Sequence, residues 1–479
     1  MTTRDDDVAF MGAAKLAEMV RDKQVSPVEL VRLYLDRIDR LDGRLRAWIT
    51  VCREQALEAA RRAEAAVMRG EPLGRLHGVP VGVKDQFDTA GVRTTVGSKI
   101  LADRVPTEDA TIVTRLARAG AILLGKQNLT EFAFGGTIRP PFGQPRNPWN
   151  LDHDPGMSSS GSGAATAAAL CAGSIGEDTG GSVRIPAAWC GLVGHRPTWG
   201  LVSRKGSFPL CWSMDQAGPL GRSVEDVAVL LGAIAGYDAA DPLTSRRPVP
   251  DYRAALAGGV RGLRIGLLRE FVSGADTVPQ MRSAVVEAAR VLEGLGAVVE
   301  EVSIPMLPQA GAIFMACADA EGAALHLGWV RTRPADYDQG TRRRLLTASL
   351  LPAAYQQLAT RARAALRREV LAALGTYDLL LAPTGHRAAP TIAESTSAVK
   401  NREDAAGKFF TRRAYSSPAA LAGVPAVAVP CGFDPAGLPL SLQLLGRPFE
   451  DATVLRAAHA YEQATEWHRR RPPLGSITL

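Results

Sequence analysis

The sequence predicts an α/β fold in a single domain spanning residues 1–479. Three observations carry this. A strand–helix–strand alternation runs through residues 79–124 and returns through 262–303. The composition, 46% hydrophobic and 22% charged, is that of an ordinary globular protein. No repeat and no Pro/Gly/Ser-rich linker divides the chain into autonomous pieces.

The elements follow in order. Helices in residues 10–70 are expected to pack on the domain. Ser26-Pro27-Val28-Glu29 reads as a capping box, and Leu30, Leu33, Leu35 and Ile38 supply its apolar stripe. Residues 53–69 form a second amphipathic helix that ends before Gly70. Val79–Val83 is a short apolar strand delivering Lys84 at its end. A helix at 107–120 and a strand at 121–124 follow. Residues 139–156 are rich in Pro, Gly and Asn and read as a long loop beside a pocket. Further helices are expected at 223–235, 279–295, 352–374 and 451–466. Strands are expected at 261–268, 297–303, 377–383, 421–429 and 440–445. Residues 385–410 are polar and lack periodicity, so they read as a mobile substrate loop.

Composition narrows the function classes. Net charge is +7 with no dense basic tract, so nucleic-acid binding is not indicated. Cys52, Cys171, Cys190, Cys211, Cys317 and Cys431 form no C-x-x-C pair and no zinc-ligand spacing. They read as buried thiols of a reducing compartment. The N-terminus, MTTRDDDVAF, has acids where a signal peptide is basic and then apolar. No apolar run is long enough to span a bilayer. A cytoplasmic location without membrane attachment is expected.

The chemistry concentrates in residues 155–198. A Ser/Gly turn (Gly156, Ser158, Ser159, Ser160, Gly161, Ser162) leads into an Ala-rich helix. A second turn, Asp178-Thr179-Gly180-Gly181-Ser182, ends on a serine. Paired glycines let successive backbone N–H groups converge on one point, as an oxyanion hole requires. There is no Walker lysine and no G-x-S-x-G elbow here.

This stretch resembles the signature of the amidase signature family of serine hydrolases. Leu76 to Asp85 resembles the family's lysine motif. Asn128-Leu129-Thr130-Glu131-Phe132, Arg146-Asn147-Pro148-Trp149 and Ala422-Gly423-Val424-Pro425-Ala426 resemble further family motifs in the family's order. The resemblance implies a large mixed β-sheet flanked by helices on both faces. It also implies a Ser-Ser-Lys triad: Lys84 as base, Ser158 as relay and Ser182 as nucleophile. The backbone N–H groups of Thr179, Gly180, Gly181 and Ser182 would hold the oxyanion. In the family the relay serine follows a cis peptide bond, here Met157–Ser158. The family usually has Gly-Gly-Ser-Ser-Gly-Gly-Ser, and this chain departs from it at Met157 and Ser160.

A lysine serves as base only when neutral, so burial must lower its pKa from about 10.4. The plain alternative for Lys84 is a strand-end lysine paired with Asp85. Asp178 and Arg184 flank the second turn and read as a pair that holds it. Cys190 and Cys211 lack a basic partner nearby in sequence and read as core. The seven histidines sit in no motif tied to the serines.

The resemblance implies a stand-alone hydrolase of carboxamide C–N bonds, acting through an acyl-enzyme on Ser182. Its substrate would be a small amide or carbamate, with urethanes included. No cofactor and no metal is expected, and the assembly would be a monomer or homodimer with no nucleic-acid partner. The other reading is a glutamine-hydrolysing subunit of a transamidation complex whose partner holds charged tRNA. Pocket residues are expected from 132–145, 311–318, 350–356 and 385–410. Phe132, Phe134, Pro140, Pro141 and Phe142 suit either an apolar pocket or the core.

Overall fold

Eleven strands form one mixed sheet in the computed structural model, which describes residues 3–476. Met1 and Thr2, the head of the stretch read above as lacking a signal peptide, lie outside the described residues. The strands are β1 (Trp48–Val51), β2 (Pro80–Lys84), β3 (Ile122–Gln127), β4 (Gly173–Glu177), β5 (Val193–Arg196) and β6 (Ala217–Gly221). They continue with β7 (Arg264–Leu268), β8 (Val298–Val302), β9 (Leu379–Pro383), β10 (Ala426–Phe433) and β11 (Pro439–Gly446). Their spatial order is β1-β3-β2-β4-β6-β5-β10-β11-β9-β7-β8. β2 runs parallel to both β3 and β4, and β7 runs parallel to β8 and β9.

Side chains alternate across a strand, and here the alternation feeds two cores. Leu379 and Leu381 of β9 enter one core, with the helices Pro27–Leu45, Pro279–Gly294 and Asp451–Gln463. Leu380 and Ala382 enter the other, with the helices Ala310–Thr332, Ala353–Thr376 and Arg412–Ala422. Ser26 caps the first of these helices with a reciprocal bond to Glu29. No helix among the described residues is long and apolar enough to cross a membrane.

Several boundaries differ from expectation. The strand expected at 421–429 begins only at Ala426, because the helix Arg412–Ala422 runs through Leu421 and ends at Gly423, whose φ is +70°. The polar stretch 385–410 carries short helices at Ile392–Thr396 and Arg402–Ala406. The 23-residue helix Ala310–Thr332 has apolar residues around its whole circumference, so it shows no stripe to read. The helix Ser160–Ala167 is built of small residues because its neighbours leave no room. A Cβ on Gly161 would stand 2.2 Å from the Ala47 carbonyl oxygen and 2.5 Å from the Asn128 nitrogen.

Candidate active site

The parallel pair β2 and β4 end side by side, with Val83 opposite Ile175. Carboxyl ends of parallel strands are where open α/β sheets hold ligands. β2 delivers Lys84 there, and β4 delivers Glu177 and the turn Asp178–Ser182. The Met157–Ser158 peptide is cis. Thr130 N–H donates to the Ser158 carbonyl at 3.2 Å, and Ser159 N–H donates to the Ser182 carbonyl at 3.3 Å. The two serine turns are thereby tied to each other. Ser158, Ser182, Thr179, Gly180 and Gly181 line one cavity of about 40 Å³.

Lys84 is fully buried and its Nζ donates to Ser158 Oγ at 2.8 Å. It does not pair with Asp85. Asp85 faces Lys126 at 3.6 Å and accepts from Thr95 at 2.6 Å. Burial lowers the Lys84 pKa from the ordinary lysine value, and the nearby Glu177 charge opposes that shift. Glu177 Oε2 stands 3.6 Å from Lys84 Nζ and has no hydrogen-bond donor among the described residues.

Thr179 Oγ contacts Glu177 Oε1 at 2.9 Å and Asp215 Oδ1 at 2.7 Å. A hydroxyl carries one proton, so one of the two carboxyls must supply the other. Burial raises the pKa of both acids, which suits a proton held between them. Neither Glu177 nor Asp215 stands out in the sequence as part of the site. Glu177 lies one residue before the turn, and Asp215 comes from the loop ahead of β6.

Asp178 organises the turn. Its carboxylate accepts from Gly181 N–H at 2.7 Å and Val183 N–H at 3.2 Å, and it pairs with Arg184 at 3.1 Å. Arg196 adds a second guanidinium at 3.4 Å. All three side chains are fully buried, and these partners hold the Asp178 carboxyl well below the usual range despite its burial. The Gly181 N–H is thus committed. The N–H groups of Thr179, Gly180 and Ser182 have no acceptor among the described residues.

Sequence reasoning missed the cations. Arg344, Arg412 and Arg413 line the serine cavity, together with Met157, Ile185, Leu210, Phe314 and Ser416. Arg344 comes from the helix Gln339–Ala348, and the other two start the helix Arg412–Ala422. All three fall outside the ranges expected to supply the pocket, and no local motif marks them. Phe314 falls within them. Phe132 and Phe134 pack in the core, where Phe132 stacks on Trp329 at 5.8 Å. All six cysteines are free and buried. No group of His, Cys, Asp and Glu among the described residues could hold a metal ion.

Comparison with known proteins places the fold and the family. The chain is 42% identical to a glutamyl-tRNA(Gln) amidotransferase subunit from Moorella thermoacetica, over 98% of this chain and 99% of that protein. The solved structure of the corresponding glutamyl-tRNA(Gln) amidotransferase subunit from Thermotoga maritima matches with a TM-score of 0.79 and 35% identity, covering 95% of each chain. A peptide amidase structure from Stenotrophomonas maltophilia matches with a TM-score of 0.83 and 35% identity, covering 97% of this chain and 98% of that one.

The full-length match to amidotransferase subunits overturns the expectation of a stand-alone hydrolase. It also overturns the expected partners: a small-molecule amide or carbamate alone, no nucleic acid, and a monomer or homodimer. The physical reason is plain. The lack of a basic tract excludes nucleic-acid contact only for a chain that works alone, because a subunit can leave that contact to its partners. Residues 29–455 match the Amidase family, and the chain belongs to it, an amidase signature hydrolase of carbon–nitrogen bonds.

Proposed function

We propose that the chain is the glutamine-hydrolysing subunit of a tRNA-dependent amidotransferase assembly. One observation carries this reading: over almost the whole length of both proteins, the chain is 42% identical to a subunit of a glutamyl-tRNA(Gln) amidotransferase. The site chemistry fits it. Ser182 Oγ attacks the side-chain carboxamide of glutamine while its proton passes to Ser158, and the Ser158 proton passes to neutral Lys84. The contact of 2.8 Å between Lys84 and Ser158 is short enough for that transfer. The oxyanion is held by the free N–H groups of Thr179, Gly180 and Ser182, with Gly181 spent on Asp178. The relay then reverses. Ser158 protonates the departing nitrogen as ammonia, water takes its place, and the Ser182 ester is hydrolysed to glutamate. Partner subunits receive the ammonia and bind the charged tRNA. The six buried free thiols suit a reducing cytoplasm.

The test uses tagged chain recovered with its co-purifying subunits. Glutamate and ammonia are expected from glutamine, together with amidation of glutamate-charged tRNA. Ser182→Ala is expected to lower both by at least about 10³-fold, and a sulfonyl fluoride is expected to label Ser182. A preparation whose Ser182 is labelled but which releases no ammonia from glutamine, with or without tRNA, would sink the reading.

A further inference from the structure

Three guanidiniums converge beside the catalytic serines. A Cβ built on Gly135 would stand 2.9 Å from Arg413 Nη2, 3.0 Å from Met157 Sδ and 3.9 Å from Arg344 Nη1. Arg412 Nη2 lies 3.3 Å from the same Met157 sulfur. Met157 immediately precedes Ser158. The three charges therefore line the serine cavity, and among the described residues no carboxylate lines it.

Their counter-charges do not balance. Asp319 takes Arg344 at 2.5 Å and stands behind it, on a neighbouring apolar groove. Arg413 is only 8% exposed, and among the described residues its side chain hydrogen-bonds only to the Phe409 carbonyl of its own helical segment. Arg412 lies over the Trp189 ring at 5.9 Å and has no ion pair among the described residues, although the buried Asp154 carboxylate is near enough to favour its charge. Burial and the Arg344 and Arg412 charges push Arg413 well below the usual guanidinium range. The adjoining cavity of about 500 Å³ continues the sign. It adds Arg343, Arg387, Lys400 and Lys408 against three carboxylates. Two of those are already used, Glu394 on Arg387 at 3.5 Å and Asp404 on Lys408 at 3.0 Å, which leaves Asp276.

Arg412 and Arg413 are adjacent like charges with no ion pair among the described residues, and keeping such charges in a confined site is costly, so the site is built for an anion that arrives from outside. A planar fork of donors suits a carboxylate. We infer that Arg412, Arg413 and Arg344 form a carboxylate-binding site beside Ser158, and that the chain selects carboxamides bearing a carboxylate while making no use of an ammonium group. The inference rests on amide hydrolysis at Ser182. It deepens the glutamine reading by assigning recognition to the carboxylate alone. An α-ammonium entering this field meets three positive charges and, among the described residues, no carboxylate lining the serine cavity.

The experiment titrates full-length Ser182→Ala protein by calorimetry with four probes: glutarate, glutaramate, glutamine and butanamide. Glutarate and glutaramate are expected to bind, glutaramate at least as tightly as glutamine, and butanamide at least 10-fold more weakly. Arg413→Gln and Arg412→Gln, each added to that protein, are expected to weaken glutaramate at least 10-fold and leave butanamide unchanged. If Arg413→Gln does not fold, Arg412→Gln, at a partly exposed position, decides by the same criterion. The proposal falls if butanamide binds as tightly as glutaramate, if glutamine binds 10-fold more tightly than glutaramate, or if the folded arginine variants bind glutaramate like the parent. Turnover by the active protein separates the two ideas. Hydrolysis of glutaramate with glutamine untouched sinks the glutaminase reading and keeps the carboxylate site. Hydrolysis of glutamine and butanamide at equal rates does the reverse.

Discussion

Glu177 places a carboxyl oxygen 3.6 Å from the Nζ of Lys84, with both side chains shut away from solvent. This sets two demands against each other. A general base must be neutral, and burial drives Lys84 that way. A neighbouring carboxylate favours the ammonium, and Glu177 is the largest influence opposing the shift. The contact through Thr179 to Asp215 moderates the conflict, because a proton held between the two acids reduces the negative charge that Lys84 faces.

Glu177→Gln tests this balance. The substitution keeps the shape and removes the charge that raises the Lys84 pKa. The acid limb of kcat/KM, which follows deprotonation of Lys84 on the proposed mechanism, is expected to move to lower pH. A pH–rate profile over the mildly acidic to alkaline range reads it, in parent and variant alike. An unmoved limb, or one displaced upward, means that Glu177 does not set the charge of Lys84.

Asp178→Asn tests the turn. The substitution leaves Arg184 and Arg196 buried without their counter-charge, and a buried pair broken on one side costs about 3–5 kcal/mol. Denaturant unfolding is expected to show a loss of that size. Activity is expected to fall as well, because the same carboxylate holds the Gly181 and Val183 N–H groups. A variant of parental stability would show that the turn does not depend on this ion pair.

Gly161→Ala tests the packing that brings the serines together. The added methyl meets three backbone atoms, which cannot rotate away. Overpacking of this kind costs about 1–3 kcal/mol. Thermal unfolding is expected to show a lowered Tm. Turnover is expected to drop beyond what stability explains, since the helix begins two residues after Ser158.

What the sequence disclosed follows from where each signal is stored. Lys84, Ser158 and Ser182 sit in contiguous motifs, and the structure gathers them at the ends of two adjacent strands. β9 and β11 are apolar runs of ordinary strand composition, and their existence could be read directly. β4, β5 and β6 are short, rich in glycine and fully buried, so their propensity points away from strand and only tertiary pairing makes them so. The guanidinium cluster is illegible for another reason. Arg344 and the Arg412–Arg413 pair come from two helices far apart in the chain, and nothing local marks any of them among 56 lysines and arginines. Glu177 is hidden by adjacency, one residue outside a turn whose other members draw the eye.

Lys84→Met separates function from stability. Methionine fills the volume without a charge to desolvate, so the variant is expected to lose at least about 10²-fold in kcat while the fold tightens. The sign with pH is fixed by the direction of the shift. The folded-state pKa of Lys84 lies below its unfolded value of about 10.4. Between the folded and unfolded values, the unfolded chain binds the extra proton, so the parent loses stability as pH falls through that window. Above about pH 10.4 neither state is protonated and this penalty is absent. The stability advantage of Lys84→Met over the parent is therefore expected to be largest at the acidic end and to shrink toward pH 10. Urea unfolding of both proteins across that range measures it. An advantage that grows with pH would mean that Lys84 is held as a stabilised ammonium by Glu177, and the neutral-base assignment would have to be abandoned.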